Sequence, residues 1–183
     1  MNLTGQIIVS MPSLEDERFY KTVIYICAHS SEGSMGIIIN KKIDYDLYPD
    51  LLQQLGIDKP LNNKKLFIRY GGPVESGRGF VLHSDDMMRK ETLNIDKGVA
   101  LTSTAEFFDD LSKGKGPKNC ILALGYAGWQ PGQLESEIMR NSWMSLSVDN
   151  SFLFDDEVSR KWSQAYKLMG IDPNSLSLES GQA

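Results

Sequence analysis

Two histidines, His29 and His83, are the side chains of this sequence best suited to acid–base work, because imidazole titrates near neutral pH. Each follows an apolar, strand-like run and precedes a serine, and strand ends are common places for sites. His83-Ser84-Asp85-Asp86 sets a base, a hydroxyl and two carboxylates in one stretch. Adjacency along the chain does not make a triad, since triad partners meet through the fold. No Gly-x-Ser-x-Gly elbow is present to expose a nucleophile. Two histidines without a third ligand at clear spacing make a weak metal site, so neither a metal nor a cofactor is expected.

Gly72-Pro73-Val74-Glu75-Ser76-Gly77-Arg78-Gly79 imitates the glycine spacing of a phosphate loop. Arg78 and Gly79 stand where Lys and Ser/Thr are required, so a magnesium ligand is missing, and Pro73 removes an amide. The stretch reads as a turn between two strands, with Arg78 and the amides of Gly71 and Gly72 as candidate contacts for a small anion. No Gly-x-Gly-x-x-Gly follows a strand either. The second glycine-rich stretch, Leu124-Gly-Tyr-Ala-Gly-Trp-Gln-Pro-Gly-Gln133, reads as a turn between an apolar strand and a short helix. Trp129 within it is a further candidate contact. Glu135 and Glu137, two apart on that helix, point to different faces and do not form an acid pair.

The elements that must position these residues are short and irregularly interleaved. Ile7–Val9, Thr22–Ala28, Gly36–Asn40, Leu66–Tyr70, Gly79–His83, Val99–Leu101, Cys120–Leu124 and Met144–Val148 read as strands, the second and third joined as a hairpin by the polar turn Ser30–Ser34. Tyr48–Leu55 reads as a helix stopped by Gly56. Ser103-Thr104-Ala105-Glu106 fits a capping box opening a helix that carries Phe107, Phe108 and Leu111 and halts at Gly114. A final helix, capped by Asp155, places Val158, Trp162, Ala165 and Met169 on one face. This order predicts an α+β fold and not a regular doubly wound sheet.

With 183 residues, 41% of them hydrophobic, the chain can bury one core, and one domain over residues 1–183 is expected. A net charge of −5 without a basic run argues against direct DNA binding. Cys27 and Cys120 form no Cys-x-x-Cys pair and fit reduced thiols. No apolar run approaches the ~20 residues of a membrane helix, so a cytoplasmic protein with no membrane contact is expected.

Several ordered motifs together resemble the AlgH/YqgE family of bacterial proteins. They include Leu3-Thr4-Gly5-Gln6-Ile7-Ile8-Val9 before Met11-Pro12, Cys27-Ala28-His29, and Gly33-Ser34-Met35-Gly36-Ile37-Ile38-Ile39-Asn40. Gly71-Gly72-Pro73-Val74, Arg78 to Ser84, Leu124 to Trp129, Gly132 to Glu137, Trp143 and Gly181-Gln182-Ala183 complete the set. The resemblance implies a mixed, bifurcated β-sheet forming a pseudo-barrel flanked by helices, in a cytosolic bacterial protein. It implies no catalytic residue or cofactor, and its one functional suggestion is a role in transcriptional control. The sequence therefore favours a non-enzymatic regulator or adaptor acting through an unknown protein partner or small ligand. The alternative is an enzyme acting on a small anion, with His29 or His83 as base and Arg78 or the Gly71-Gly72 amides as anion holders. That alternative requires these residues to converge on one pocket.

Overall fold

Val23 to Cys27 and Ile37 to Ile39 are the most continuous apolar runs, and all of these residues are buried, so they seed the middle of a sheet covered on both faces. The computed structural model describes residues 2–43 and 68–176. Within them lie nine strands: β1 Ile7–Ser10, β2 Val23–Ser30, β3 Gly33–Ile38, β4 Ile68–Tyr70, β5 Val74–Ser84, β6 Leu93–Asp96, β7 Val99–Thr102, β8 Cys120–Trp129 and β9 Trp143–Leu146. Five α-helices flank them: α1 Ala105–Ser112, α2 Gln133–Met139, α3 Asn150–Phe154, α4 Lys161–Leu168 and α5 Pro173–Leu176. The helix expected at Tyr48–Leu55 and the closing Gly181-Gln182-Ala183 motif lie outside the described residues.

The strand order is β6-β7-β5-β8-β3-β2-β1-β9, with β4 added beside β8. Strand β8 is where the sheet forks. Its first half pairs with β5 on one edge and, in parallel, with β4 on the other. Its last residues, Ala127–Trp129, pair with β3. Because β4 and β5 flank the same strand, the residues joining them must pass across β8. Gly72 (φ +152°) and Gly125 (φ +68°) make that crossing. A Cβ on Gly72 would lie 2.1 Å from the Tyr126 carbonyl carbon, and one on Gly125 would lie 2.3 Å from the Gly72 oxygen. Only glycine admits backbone that close.

The fork corrects two expectations. Leu124 to Trp129 is not a turn, because β8 continues through Gly125 and re-pairs with β3. The Gly72–Gly79 stretch is not a loop between strands either, since β5 begins at Val74 and bulges between Val74 and Gly79. In both places glycine marks an irregularity inside a strand. The β2–β3 hairpin forms as expected but with a tighter turn at 31–32 and a longer β3. Strand β6 had no sequence expectation; its residues are mostly exposed, so no apolar run announces it.

Two helix starts also differ. Thr104, not Ser103, is the N-cap of α1, without a side-chain bond, because the Ser103 hydroxyl accepts from Arg78 instead. Asp155 ends α3, and a 3-10 turn at Val158–Arg160 leads into α4, so the final helix starts later than expected. Its apolar face survives: Val158, Trp162 and Ala165 are buried. The Trp162 and Tyr166 side chains both donate to the Ser10 carbonyl, at 2.9 and 3.1 Å, and so tie α4 to β1.

One core cluster joins Ile7 and Val9 of β1, Tyr25 of β2, Ile37 of β3, Leu82 of β5 and Leu101 of β7 with Trp162 and Tyr166. Residues from both arms share it, so the mixed sheet curls around its inner face as a pseudo-barrel. It is not closed by strand pairing. Where the arms approach, the link is made by side chains and turns: Asn150 donates to the Lys97 carbonyl at 2.9 Å. Two smaller clusters lie on the outer face, under α1 (Phe107, Phe108, Leu111) and against Leu134 of α2 (Trp129, Trp143). Among the described residues no helix is long and apolar enough to cross a membrane.

Candidate functional site

His83 is carried by β5 between β7 and β8, and it is fully buried. Its Nδ1 lies 2.8 Å from the Ser84 carbonyl and its Nε2 2.8 Å from the Thr102 hydroxyl. A carbonyl can only accept, so Nδ1 carries the proton and Nε2 accepts from Thr102. The ring also rests on Phe107, 4.6 Å between centroids. Burial holds this imidazole below its ordinary pKa, only partly offset by the Ser84 carbonyl and by Asp86 and Asp85. Both nitrogens are used inside the fold.

His29 has a different setting, decided by a bulge. Ile26 pairs with Gly36 and Ala28 with Met35, so Cys27 is an extra residue in β2. Without it, His29 would share the inner face with Tyr25 and Cys27. The bulge turns Ala28 inward, beside Met35, and sends His29 outward beneath α2. There Nε2 meets the Glu135 carboxylate at 3.3 Å, and Nδ1 lies 3.2 Å from the hydroxyl of Ser34, its cross-strand neighbour. The His29 side chain is 4% exposed.

Trp129 ends β8 and is 8% exposed. Its indole N–H donates to Glu137 Oε2 at 2.9 Å, and that of Trp143 donates to the same oxygen at 2.8 Å. Gln133 donates to the other carboxylate oxygen at 2.8 Å while accepting from the Gln130 amide. Gln133 and Glu137 are four apart and share a helix face, whereas Glu135 turns to His29, so the two glutamates do diverge. The Gly-Trp-Gln-Pro-Gly-Gln-Leu-Glu-Ser-Glu stretch thus builds a corner that clamps α2 onto β8, β9 and the hairpin.

The anion-holding candidates are occupied or exposed. The Gly71 amide donates to the Leu124 carbonyl at 2.7 Å, and Gly72 is buried in the crossing. Arg78 is exposed on the β5 bulge, where it pairs with Glu75 at 3.0 Å, donates to Ser103 at 2.9 Å and lies over Phe80. Two further cations, Arg69 and Lys161, are buried elsewhere. Arg69 bonds the Ile39 and Asp155 carbonyls and Asp156, and Lys161 bonds the Phe152 carbonyl. Burial and the neighbouring Arg69 bring the Lys161 ammonium down to about 8. Cys27 is buried and Cys120 half-buried, and neither is in a disulfide. Among the described residues no three His, Cys, Asp or Glu side chains gather as a metal site.

An open groove of about 440 Å³ lies on the concave face at the mouth of the pseudo-barrel, beyond the packed inner core. Ala28 and Ser30 of β2, Gly33 and Met35 of β3, Tyr126 and Gly128 of β8, and Val74 of β5 line it, with Glu32, Ser34, Trp129 and Gln130 at the hairpin end. Of the six candidates read from the sequence, only Trp129 reaches it. His29 sits next to it on the far side of the hairpin, His83 is deep under α1, and Arg78 is outside. The residues the sequence reading missed, Met35, Val74 and Tyr126, carry no chemical signature and come together only through the fork.

The AlgH-like family model (DUF179) matches residues 7–174. A UPF0301 protein from Rhodopseudomonas palustris (strain BisB18) is 49% identical, with 99% of this chain and 89% of the relative covered. A second UPF0301 protein, from Bradyrhizobium diazoefficiens, is 47% identical over 99% of this chain and 88% of its own length. The solution structure of the AlgH protein from Pseudomonas aeruginosa superposes with a TM-score of 0.79 at 32% identity, covering 100% of this chain and 97% of that one. A crystal structure from Corynebacterium diphtheriae shares the fold with a TM-score of 0.71 at 19% identity, covering 100% and 93%. With the family model spanning residues 7–174 and relatives at 47–49% identity over 99% of its length, this chain belongs to the AlgH-like family.

Proposed function

We propose that this protein is a non-enzymatic adaptor or regulator that holds a segment of a partner protein in the groove at the mouth of its sheet. The observation that carries this reading is the lining itself. It offers apolar, aromatic and small residues in an open, four-strand concavity, and among the described residues that line it there is neither histidine, cysteine, lysine nor arginine. Such a surface suits contact and lacks the base and cation that work on an anionic substrate would need. The experiment places a photo-crosslinking amino acid at Ala28, inside the groove, or at Lys113, beyond the end of α1, in the full-length chain expressed in a bacterium. Discrete protein adducts from position 28 and not from 113 are expected. Equal or absent adducts at position 28 would sink the reading.

One observation favours the second reading, an enzyme with a histidine base. Ser34, His29 and Glu135 form a hydroxyl–imidazole–carboxylate chain, and Ser34 borders the groove. Against it stand the burial of His29 and the pairing of Ser34 within the β3–β8 ladder. A fluorophosphonate probe decides the matter: covalent labelling of Ser34 that disappears in His29→Gln would favour the enzyme.

A further inference from the structure

Among the described residues that line the groove, Glu32 is the one that carries a charge. It sits at the tip of the β2–β3 hairpin, exposed, with its amide held by the Ser30 hydroxyl at 3.1 Å. The nearest basic side chain on β5, Arg78, is engaged by Glu75 and Ser103 and does not line the groove. Tyr126 borders the same space with its ring on the inner face, whereas Trp129 reaches the groove only at the end of β8, its indole packed against α2 on the outer face. A carboxylate and an aromatic ring bordering one groove both attract a cation, by charge and by the ring quadrupole. The floor next to it is apolar or small: Ala28, Met35, Val74 and Gly128. The whole chain carries a net charge of −5, so the wider field favours the same sign of ligand.

The shape narrows the source of that cation. Small-molecule pockets enclose about 70–90% of their ligand, whereas this groove lies open along the concave face. It crosses the paired strands β2, β3, β8 and β5 as one open trough, a shape that suits an extended segment laid over the sheet face. On the reading that the groove receives a protein partner, we infer that the partner supplies an extended segment carrying a lysine or arginine beside an apolar residue. The cationic group sits at Glu32, and the apolar side chain covers Met35 and Val74. An acidic segment meets like charge at the hairpin tip and is rejected.

The test is selection of random peptides displayed on phage against the full-length protein. The selected peptides are then measured by fluorescence polarisation against wild type, Glu32→Lys and Ala28→Arg. Ala28 is an exposed strand position, so an arginine there fills the groove from outside the core; Ser30→Arg replaces it if that variant fails to fold. The expected winners carry Lys or Arg next to an apolar residue. Glu32→Lys should weaken them roughly tenfold, with a loss that shrinks at high salt, and Ala28→Arg should abolish binding. Neutral or acidic winners blocked by Ala28→Arg but indifferent to Glu32→Lys would overturn the charge assignment and leave the groove standing. Winners indifferent to both variants would overturn both, and a library yielding no specific binder would overturn the extended segment.

Discussion

His83 and His29 have the same local setting, an apolar strand before and a serine after, yet the fold gives them opposite duties. His83 lies under α1 with its nitrogens used by Ser84 and Thr102 and its face on Phe107. His29 lies beneath α2 with a carboxylate on one side and a hydroxyl on the other, one strand face away from the open groove. The closed end of the sheet is a packed interior that tolerates a polar group only because it is neutral and satisfied. The mouth is a scaffold of charged and amphipathic groups that braces a surface left open. A residue type near a strand end says little about its duty until its face is known.

The most severe way to break this contrast is to break the crossing that separates the two regions. Gly72→Ala or Gly125→Ala puts a Cβ within 2.1–2.3 Å of backbone, and each should cost more than about 4 kcal/mol in denaturant unfolding or prevent folding outright. Gly77→Ala, where a Cβ meets nothing within 4 Å, should stay within about 0.5 kcal/mol. If all three behaved alike, the crossing would not be the constraint described.

Next in size are the two polar networks. His83→Ala opens a cavity against Phe107 and removes one of the two partners of the Thr102 hydroxyl, Thr92 remaining, and should cost about 2–4 kcal/mol; His29→Gln, beside a part-exposed carboxylate, should cost about 1 kcal/mol. Glu137→Ala strands two indole N–H groups and should cost about 2–4 kcal/mol while leaving the His83 end unchanged. A local rise in hydrogen exchange at α2 and β9, without one at β7, would locate that loss at the mouth.

The smaller effect is in pH. The folded-state pKa of His83 is depressed by burial, so the unfolded chain binds the extra proton first as pH falls. The contribution is fully present above the unfolded value of about 6.5 and is lost as pH drops from there through the folded value. Urea midpoints measured from pH 7.5 to 5 should show this slope, and His83→Gln should flatten it. Smallest of all, Arg78→Ala should change stability by less than about 0.5–1 kcal/mol, since its partners are exposed. It should also leave groove binding intact, because Arg78 does not border it.

Much of the fold was legible along the chain. The hairpin, the first half of β8, helices α1 and α2 and the buried face of α4 follow from apolar period and local stops, which depend only on near neighbours. The glycine stretches were legible as special but not as what they are. A bulge and a crossing share with a turn the same requirement for positive φ or close backbone approach, so composition cannot separate them. Ser103 shows the same limit from the other side: its hydroxyl suits a cap, but Arg78, twenty-five positions away, claims it.

By itself the sequence determined the family, the α+β class, the divergence of Glu135 from Glu137 and the buried face that carries Trp162, because each is written in local pattern or in ordered motifs. Only the tertiary structure decided which face each site residue occupies. One extra residue at Cys27 turns His29 to α2 and Ala28 to the groove, and Gly125 lets β8 pass from one set of partners to another. The groove draws on residues near positions 30, 74 and 128, which meet only when the sheet forks. Side chains alternate across a strand, so a single inserted residue reverses inside and outside, and that parity is set by pairing between strands and not within either one.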